Sequence, residues 1–249
     1  MKITKDKLPN LNHLYPAAFM AALALGMTSA RAQLIDVNFY SAGFGGSAAS
    51  GAAVVGTATD QWNGIAADSG FGGPINLVDA NGNATFVTLS YNSPSGGAVV
   101  SANANIQPNA SLMYDYLFNN NGSGITVTLG GLAASTPYDL YIYLASNDGG
   151  GSARAANVTA NLASGTATGN PETSFINGDN YLLLDVTSSA LGTINIAETD
   201  ALANTSGEVD MNGLQITSVP EPSTLFLFVV GGLGLILSKG SYHSFAHGA

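Results

Sequence analysis

Two alternating runs of residues joined by a turn occupy positions 126–143, with the sequence TVTLGGLAASTPYDLYIY. In the second run, Leu140, Ile142 and Leu144 fall on one side of an extended chain, and Tyr141 and Tyr143 fall on the other. In the first run, threonines alternate with apolar residues. Glycine, serine and proline between the two runs are residues that end strands and form turns. The stretch therefore predicts a strand, a turn and a second strand.

The same pattern extends over residues 33–218, where short apolar or alternating runs are separated by Gly, Asn, Ser and Asp. No part of this region shows a sustained helical period, and many short strands at near-regular spacing indicate a sandwich or barrel. Asn81-Gly82 predicts a hairpin turn. The Gly- and Ala-rich stretch Ser41–Gly56 is expected to be a long, mobile loop. The candidate strands are Leu34–Phe39, Ile75–Val78, Ala84–Tyr91, Leu112–Phe118, Ile125–Leu129, Tyr138–Leu144, Ala155–Leu162, Tyr181–Val186, Thr193–Ala197 and Gly213–Thr217.

Three parts of this region resemble known β-sandwiches. Residues 126–143 are similar to the fibronectin-like and galactose-binding-like sandwiches of secreted proteins. The opening Leu34–Phe39 and the closing Gly207–Ile216 resemble the first and last strands of a jelly roll. The resemblance implies an all-β, jelly-roll-like β-sandwich over residues 33–218, and such sandwiches are frequent carbohydrate-binding modules.

The C-terminal region combines a short motif, an apolar run and a basic residue. The motif is Val219-Pro220-Glu221-Pro222-Ser223-Thr224, the apolar run is Leu225–Leu237, and the basic residue is Lys239. This order resembles the PEP-CTERM sorting signal of Gram-negative bacteria, although Lys239 stands where that family usually has an arginine cluster. The resemblance implies a transmembrane helix at 224–238 and cleavage near Pro220–Pro222 by an exosortase-type protease. It also implies a place at the cell envelope, the outer surface or the exopolysaccharide matrix, after initial anchoring in the inner membrane.

The length of the apolar run leaves a second interpretation open. Its 13 residues span about 20 Å as a helix, against about 30 Å for the apolar core of a bilayer. Flanking residues must then share the membrane interface, and the alternative is a buried C-terminal core helix.

The N-terminal region has the three parts of a secretory signal peptide. Lysines at positions 2, 5 and 7 precede the apolar run Ala17–Met27, and Ala30-Arg31-Ala32 fits the small-x-small cleavage rule. Cleavage there makes Gln33 the mature N-terminus, whereas the alternative is an uncleaved N-terminal anchor. The chain is thus divided into a signal peptide (1–32), an exported domain (33–218) and a sorting signal (219–249).

The composition of the exported domain excludes several kinds of chemistry. Its 186 residues suit one domain, and they contain fourteen acidic residues against Arg154 alone, a formal charge near −13. They contain no histidine, lysine or cysteine, so Ser-His-Asp and Cys-His nucleophiles, Schiff bases and typical zinc sites are excluded. Nucleic acid is excluded as a partner because phosphate binding needs a basic face. We therefore expect a protein that is not an enzyme and has no cofactor.

Carboxylate chemistry remains open. The i, i+2 pairs Glu198/Asp200 and Glu208/Asp210 raise the alternative of a carboxylate-dependent glycoside hydrolase, which needs two acids roughly 5–10 Å apart. We expect these acids to be solvated on loops. Oxygen ligands alternate in Asp79–Asn83 as they do in calcium loops, but the spacing of an EF-hand is missing, so a hairpin turn is the main prediction.

Aromatic residues with neighbouring amides and carboxylates suggest where glycan could bind. Asp60, Trp62 and Asn63 form one candidate contact, and Tyr141 and Tyr143 form another. The alternative for Trp62, the only tryptophan, is a place in the core. The sequence thus predicts an exported, non-enzymatic protein of the envelope or exopolysaccharide, with polysaccharide as the candidate ligand.

Overall fold

The structure is a computed structural model, and it describes residues 33–94, 96–100, 109–120, 122–144, 154–170, 173–201 and 208–219. Nearly all regular structure in these residues is β. The strands are β1 (Leu34–Tyr40), β2 (Asn63–Ala66), β3 (Phe71–Val78), β4 (Ala84–Asn92), β5 (Ala98–Val100), β6 (Asp115–Asn119), β7 (Ile125–Gly130), β8 (Pro137–Tyr143), β9 (Ala156–Ala160), β10 (Ala163–Ala167), β11 (Tyr181–Thr187), β12 (Ile194–Asp200), β13 (Val209–Met211) and β14 (Gly213–Ser218), with one helical turn, α1 (Ala110–Met113).

Two large sheets enclose the main core. One has the strand order β11-β8-β14-β1-β2, and the other has the order β10-β9-β12-β7-β4-β3. Alternation directs Leu140 and Ile142 of β8 inward from the first sheet, and Val127 and Leu129 of β7 inward from the second, into one apolar cluster. The predicted all-β sandwich is therefore confirmed, and the alternation read from residues 126–143 is confirmed with it.

The first and last strands are neighbours in the five-stranded sheet. β1 and β14 are antiparallel, with Leu34 opposite Thr217 and Asn38 opposite Gly213. β14 also pairs with β8, so the closing strand lies inside the sheet and is hydrogen-bonded on both sides. This is the jelly-roll-like arrangement of first and last strands that their sequences predicted.

One predicted strand begins later than expected. Residues 110–113 form α1 instead of the start of a strand, because the side chain of Asn109 accepts a hydrogen bond from the backbone of Leu112 at 3.2 Å. The strand β6 then begins at Asp115 and joins β5 and β13 in a small third sheet.

The hairpin at Asn81-Gly82 exists, but its turn is wider than predicted. Five residues, Asp79 to Asn83, join β3 to β4, and among them only Gly82 has a positive φ, at 80°. Four strands were not foreseen: β2, β5, β10 and β13. They are three to five residues long and weakly apolar, so their formation depends on pairing with a neighbouring strand.

The Gly- and Ala-rich stretch that was expected to be a mobile loop is packed against the sheet. We call residues Ala49–Trp62 the strap. Ala49 and Trp62 belong to a second apolar cluster on the outer face of the five-stranded sheet, and Val54 and Val55 pack against it. Small residues allow the strap to lie close to the sheet, and the mobility expected of Ser41–Gly56 stays a prediction.

Several sequence-based predictions lie outside the described residues. They are the signal peptide 1–32 with Ala30 and Ala32 at its cleavage site, the motif residues Pro220, Glu221, Pro222, Ser223 and Thr224, and the membrane helix 224–238. Among the residues that are described, no helix has the length and apolar character needed to cross a membrane.

Candidate functional site

The aromatic residues proposed for glycan contact come together on the outer face of the five-stranded sheet. Tyr141 and Tyr143 point away from the main core, as their alternation predicted, and the strap then covers them. Trp62 is 8% exposed and Tyr143 is 0% exposed, with their ring centroids 6.4 Å apart. Tyr141 stacks on Tyr181 at a centroid separation of 6.4 Å. In this conformation the rings offer almost no free face on which a sugar could stack, so their role as glycan contacts stays a prediction.

The other two residues proposed for glycan contact, Asp60 and Asn63, form hydrogen bonds within the protein. The carboxylate of Asp60 accepts hydrogen bonds from the backbone N–H of Thr57 at 2.8 Å and from its hydroxyl at 2.6 Å. The amide of Asn63 donates to the backbone carbonyls of Asp36 and Val78, at 2.9 and 2.8 Å, and accepts from the N–H of Val78 at 2.8 Å. Asn63 therefore links three strands, and Asp60 shapes a turn of the strap.

A buried polar network beneath the strap was missed by the sequence analysis. Gln215 of β14 donates to the carboxylate of Asp36, directly opposite on β1, at 2.6 Å. The hydroxyl of Tyr143 donates to the side-chain oxygen of Gln215 and accepts from the N–H of Val54 at 3.1 Å. Gln215 also donates to the carbonyl of Val55 at 3.1 Å. The network thus fastens the strap to three strands of the sheet.

Two polar atoms in this network lack a hydrogen-bond partner. They are Oδ2 of Asp36 and Nδ2 of Asn38, and both residues are fully buried. Burial raises the pKa of Asp36 to about 7; the Gln215 hydrogen bond lowers it in part, and the Asp60 carboxylate raises it. The only sequence signal was the alternation of Asp36 and Asn38 with the apolar residues of β1, which placed them on an outer face that would ordinarily be solvated.

The acids considered for hydrolysis occupy positions that differ from those expected. Glu198 is 0% exposed and lies on the inner side of β12, where burial and the nearby Asp210 carboxylate raise its pKa well above its usual value. Asp210 is also buried, and its carboxylate lies 3.2 Å from the guanidinium of Arg154, which also pairs with Glu208. The expectation of solvated acids on loops is wrong for Glu198 and Asp210. The sequence missed this because β12 continues three residues beyond the predicted strand and carries Glu198 inward.

This acidic cluster has some features of a general acid and lacks others. A raised pKa is what a glycosidase acid needs, and a second carboxylate lies near it. A general acid must also reach the glycosidic oxygen, however, and Glu198 has no exposed surface. The other two carboxylates, those of Glu208 and Asp210, form ion pairs with Arg154. The cluster therefore places carboxylates next to the guanidinium of Arg154, and it exposes no pair of groups suited to general acid–base catalysis.

Other described acids have local roles in turns and loops. The carboxylate of Asp79 accepts hydrogen bonds from the backbone N–H groups of Asn81 and Asn83, at 3.0 and 2.9 Å, as expected for a hairpin turn. Asp68 accepts from the hydroxyl of Ser41 at 2.6 Å, and burial raises the pKa of its neighbour Asp115 to about 6. Within the described residues, no three side chains of metal-binding type converge on one point.

Both ends of the described domain lie at the same end of two neighbouring inner strands of the five-stranded sheet. Gln33 directly precedes β1 and Val219 directly follows β14, and these two strands are antiparallel neighbours. The N–H of Val219 bonds to the carbonyl of Pro137, at 3.2 Å, so the first residue of the sorting motif is still hydrogen-bonded to the sheet.

The comparison with protein families agrees with this boundary. Residues 218–239 match the family described as PEP-CTERM protein-sorting motif. The chain therefore carries the sorting signal that its C-terminal sequence resembled, and the motif indicates an exported protein that is first anchored in a membrane and then sorted to the cell surface. No curated protein matches the chain.

Several solved structures are distantly similar to the chain. They include the ANX2 ectodomain from Arabidopsis thaliana (TM-score 0.44, 13% identity, 75% of this chain and 50% of that one). A Bacillus subtilis protein, YXIM, has a TM-score of 0.41 and 14% identity, over 76% of this chain and 41% of its own length. A CBM35 from Cellvibrio japonicus Abf62 has a TM-score of 0.28 and 15% identity, over 41% of this chain and 71% of its own. The chain thus spans half or less of the first two proteins, and at these scores the likeness indicates neither a ligand nor an activity.

Proposed function

We propose that this protein is a non-enzymatic surface protein, retained at the envelope or incorporated in exopolysaccharide, whose sandwich binds glycan. The observation that carries the proposal is the sorting motif directly after the last strand of the sandwich. No further folded segment separates β14 from the motif, so the sandwich itself is what the signal delivers.

The geometry of the domain supports a role at a surface. The chain enters and leaves the sheet at the same end of β1 and β14. Gln33 is the predicted mature N-terminus there, and Val219 is the start of the motif. A sandwich anchored there extends its two sheets and its opposite end away from the membrane. Such an arrangement suits a protein that contacts material outside the cell.

The positions of the acidic residues support the proposal that the protein is not an enzyme. Glu198 is enclosed in the core and Asp210 is ion-paired with Arg154, so neither can serve as the accessible acid of a glycosidase. The domain also has no histidine, lysine or cysteine to supply another nucleophile or base.

Fractionation of the native host tests the sorting proposal. We expect mature protein that begins at Gln33 in the envelope or matrix fraction, and a C-terminus near Pro220–Pro222 by mass spectrometry. Cytoplasmic protein that retains Met1 contradicts export. An intact Ala249 in a host that has the protease contradicts processing.

A separate assay tests the non-enzymatic part. The full chain is incubated with soluble polysaccharides and the release of reducing ends is measured, beside the variants Glu198→Gln and Glu208→Gln. We expect no hydrolysis by any of the three proteins. Hydrolysis by the natural chain that is lost in either variant would establish the glycosidase alternative instead.

A further inference from the structure

The outer face of the six-stranded sheet is open, in contrast to the strap-covered face of the other sheet. Along β7 the buried residues alternate with exposed Thr126 and Thr128, and along β9 they alternate with exposed Asn157 and Thr159. We call the outward side of β4, β7, β12, β9 and β10 the open face. Its exposed residues are almost all threonine, serine and asparagine.

Strand register arranges these residues in rows across the sheet. One row runs Asn92, Thr126, Ala197, Thr159, Ser164, with one residue from each of five neighbouring strands. Neighbours in a row are about 4.8 Å apart, and successive outward residues along a strand are about 6.6 Å apart. The open face is therefore a regular array of short side chains, most of which carry a hydroxyl or an amide.

Cross-strand hydrogen bonds hold the amides of this array in place. The hydroxyl of Thr128 donates to the side-chain oxygen of Asn195 at 3.1 Å, and that of Thr166 donates to the side-chain oxygen of Asn157 at 2.8 Å. Neither amide nitrogen has a hydrogen bond to any described residue. Each asparagine therefore presents two N–H donors that a ligand hydroxyl could accept without first displacing a protein group.

The open face carries no charge, although the exported domain has a formal charge near −13. The charged residues of the five strands, Glu198 and Asp200 of β12, lie at the inward-facing positions of that strand. A polyanion approaching this domain would be repelled by its overall field, and the open face offers no cation to compensate. A neutral partner rich in hydroxyl groups is not repelled by this field and needs no cation on the face.

Two exposed aromatic residues stand at opposite ends of one edge of this face. Phe86 of β4 is 93% exposed and shares the outward side with Ser90 and Asn92. Phe71 of β3 is 67% exposed and lies directly opposite Asn92. Asn92 lies six positions along the extended strand from Phe86, about 20 Å away. Aromatic rings flanking hydrogen-bonding groups match the alternating apolar and polar surfaces of an extended sugar chain.

We infer that the open face, with Phe71 and Phe86 at its edge, binds an extended neutral polysaccharide lying along β4 and β7. The inference rests on the proposed function. It places the glycan contact on the open face instead of on the aromatic residues that the strap covers. The phenylalanine rings stack on sugar rings, and the threonine hydroxyls and asparagine amides bond to sugar hydroxyls.

Retention of the full chain on immobilised polysaccharides tests the inference. The protein is kept in a detergent without a sugar headgroup, and the probes are galactomannan, xyloglucan and dextran as neutral chains and alginate as an acidic one. The face variants are Phe71→Ser with Phe86→Ser, and separately Thr128→Asp. The matched controls are Phe44→Ser, a phenylalanine 69% exposed off this face, and Thr187→Asp, an exposed strand threonine of the other sheet.

We expect retention on at least one neutral polysaccharide, a loss of roughly tenfold or more in affinity for each face variant, and little change for the controls. Binding that the face variants leave intact overturns the inference, while the glycan-binding function stands. Equal retention on alginate also overturns it, because the charge argument then fails. No retention on any neutral chain overturns it too, although the surface location tested by fractionation is untouched. Self-association that the face variants abolish would assign the open face to a second copy of the chain instead.

Discussion

Asp36, Asp115 and Glu198 are carboxyl groups buried inside an acidic domain. Burial raises the pKa of each of them, to about 7 for Asp36 and about 6 for Asp115. An ionised carboxylate in such surroundings costs free energy that a neutral carboxylic acid does not. At the scale of single residues, therefore, these three positions couple the stability of this acidic domain to pH.

The first prediction concerns the pH dependence of stability. The folded state keeps a proton on Asp36 up to about pH 7, whereas the unfolded chain releases it near its ordinary value of 3.8. The folded state thus binds more protons in this interval, so the contribution of Asp36 to the free energy of unfolding falls as pH rises from about 4 to about 7. The variant Asp36→Asn should be more stable than the natural chain at pH 8, by an amount on the order of 1–3 kcal/mol, and similar to it at pH 4.

Denaturant titrations at pH 4, 6 and 8 measure this difference. Thr187→Ser, a change at an exposed position of β11 that removes no titratable group, is the control and should not change the slope with pH. A natural chain whose stability rises between pH 4 and 7 in step with Asp36→Asn would show that Asp36 is not the titrating group.

The second prediction concerns Arg154, the only basic residue of the exported domain. Its guanidinium pairs with Asp210 and Glu208 beside the buried Glu198. Removing one partner of a buried ion pair leaves the other charge uncompensated, so Arg154→Met should lower the free energy of unfolding by about 3–5 kcal/mol at pH 8. Arg154→Lys retains the charge and should lose less. Adding Asp210→Asn to both variants should narrow the difference in the free energy of unfolding between Arg154→Met and Arg154→Lys, and an unchanged difference would contradict an electrostatic cause.

At the scale of elements, the strap makes the two sheets unequal. It covers the outer face of the five-stranded sheet with a second apolar cluster, and the polar network of Asp36, Gln215 and Tyr143 fastens it. The six-stranded sheet has no such cover over its outward threonines in the described part of the chain. The two sheets therefore differ in their outer faces. The outer face of the five-stranded sheet is covered by the strap, and the outward residues of the six-stranded sheet are exposed.

The third prediction tests how the strap is held. Tyr143→Phe removes the hydroxyl that bonds to Gln215 and to the N–H of Val54, so the strap should loosen at a cost of about 1–2 kcal/mol. Trp62 is the only tryptophan of the chain, so its fluorescence reports on the strap alone. Quenching of Trp62 by acrylamide should be weak in the natural chain and stronger in Tyr143→Phe, while the far-ultraviolet circular dichroism stays the same. Equal quenching in the two proteins would mean that apolar packing alone holds the strap.

At the scale of the whole molecule, the pairing of β1 with β14 joins the two ends of the domain. The last strand lies between β1 and β8, and the sorting motif follows it without a spacer. Every described strand of both sheets precedes Ser218 or ends at it. Removal of the sorting region should consequently leave all of these strands in place.

The fourth prediction follows from that boundary. A chain that ends at Val219 should have the same denaturation midpoint as the full chain, because it keeps every described strand. A chain that ends at Asn212 lacks β14, which leaves β1 and β8 without their shared neighbour, and it should not fold. Thermal denaturation followed by circular dichroism distinguishes the two. A large loss of stability in the longer chain would show that residues beyond Val219 contribute to the fold.

Sequence alone was sufficient wherever the relevant physics is local. Alternation in residues 126–143 and Leu34–Phe39 determined the strands, because side chains of an extended chain point to opposite sides whatever their partners are. The order of motif, apolar run and basic residue identified the sorting signal, since such signals are read as linear segments. The lack of histidine, lysine and cysteine in the exported domain excluded whole classes of chemistry, because no fold can supply a side chain that the composition does not contain.

Tertiary structure decided which outward faces are covered. Alternation placed Tyr143 and Asp36 away from the main core, but only the path of the strap shows that they are buried there. The same alternation placed Thr126 and Thr128 outward, and only the register of five strands makes them part of an ordered array. Glu198 was expected in solvent and lies in the core, because β12 extends further than its apolar residues indicate. The exposure of a residue depends on segments distant in sequence, and a local pattern contains no information about where those segments pack.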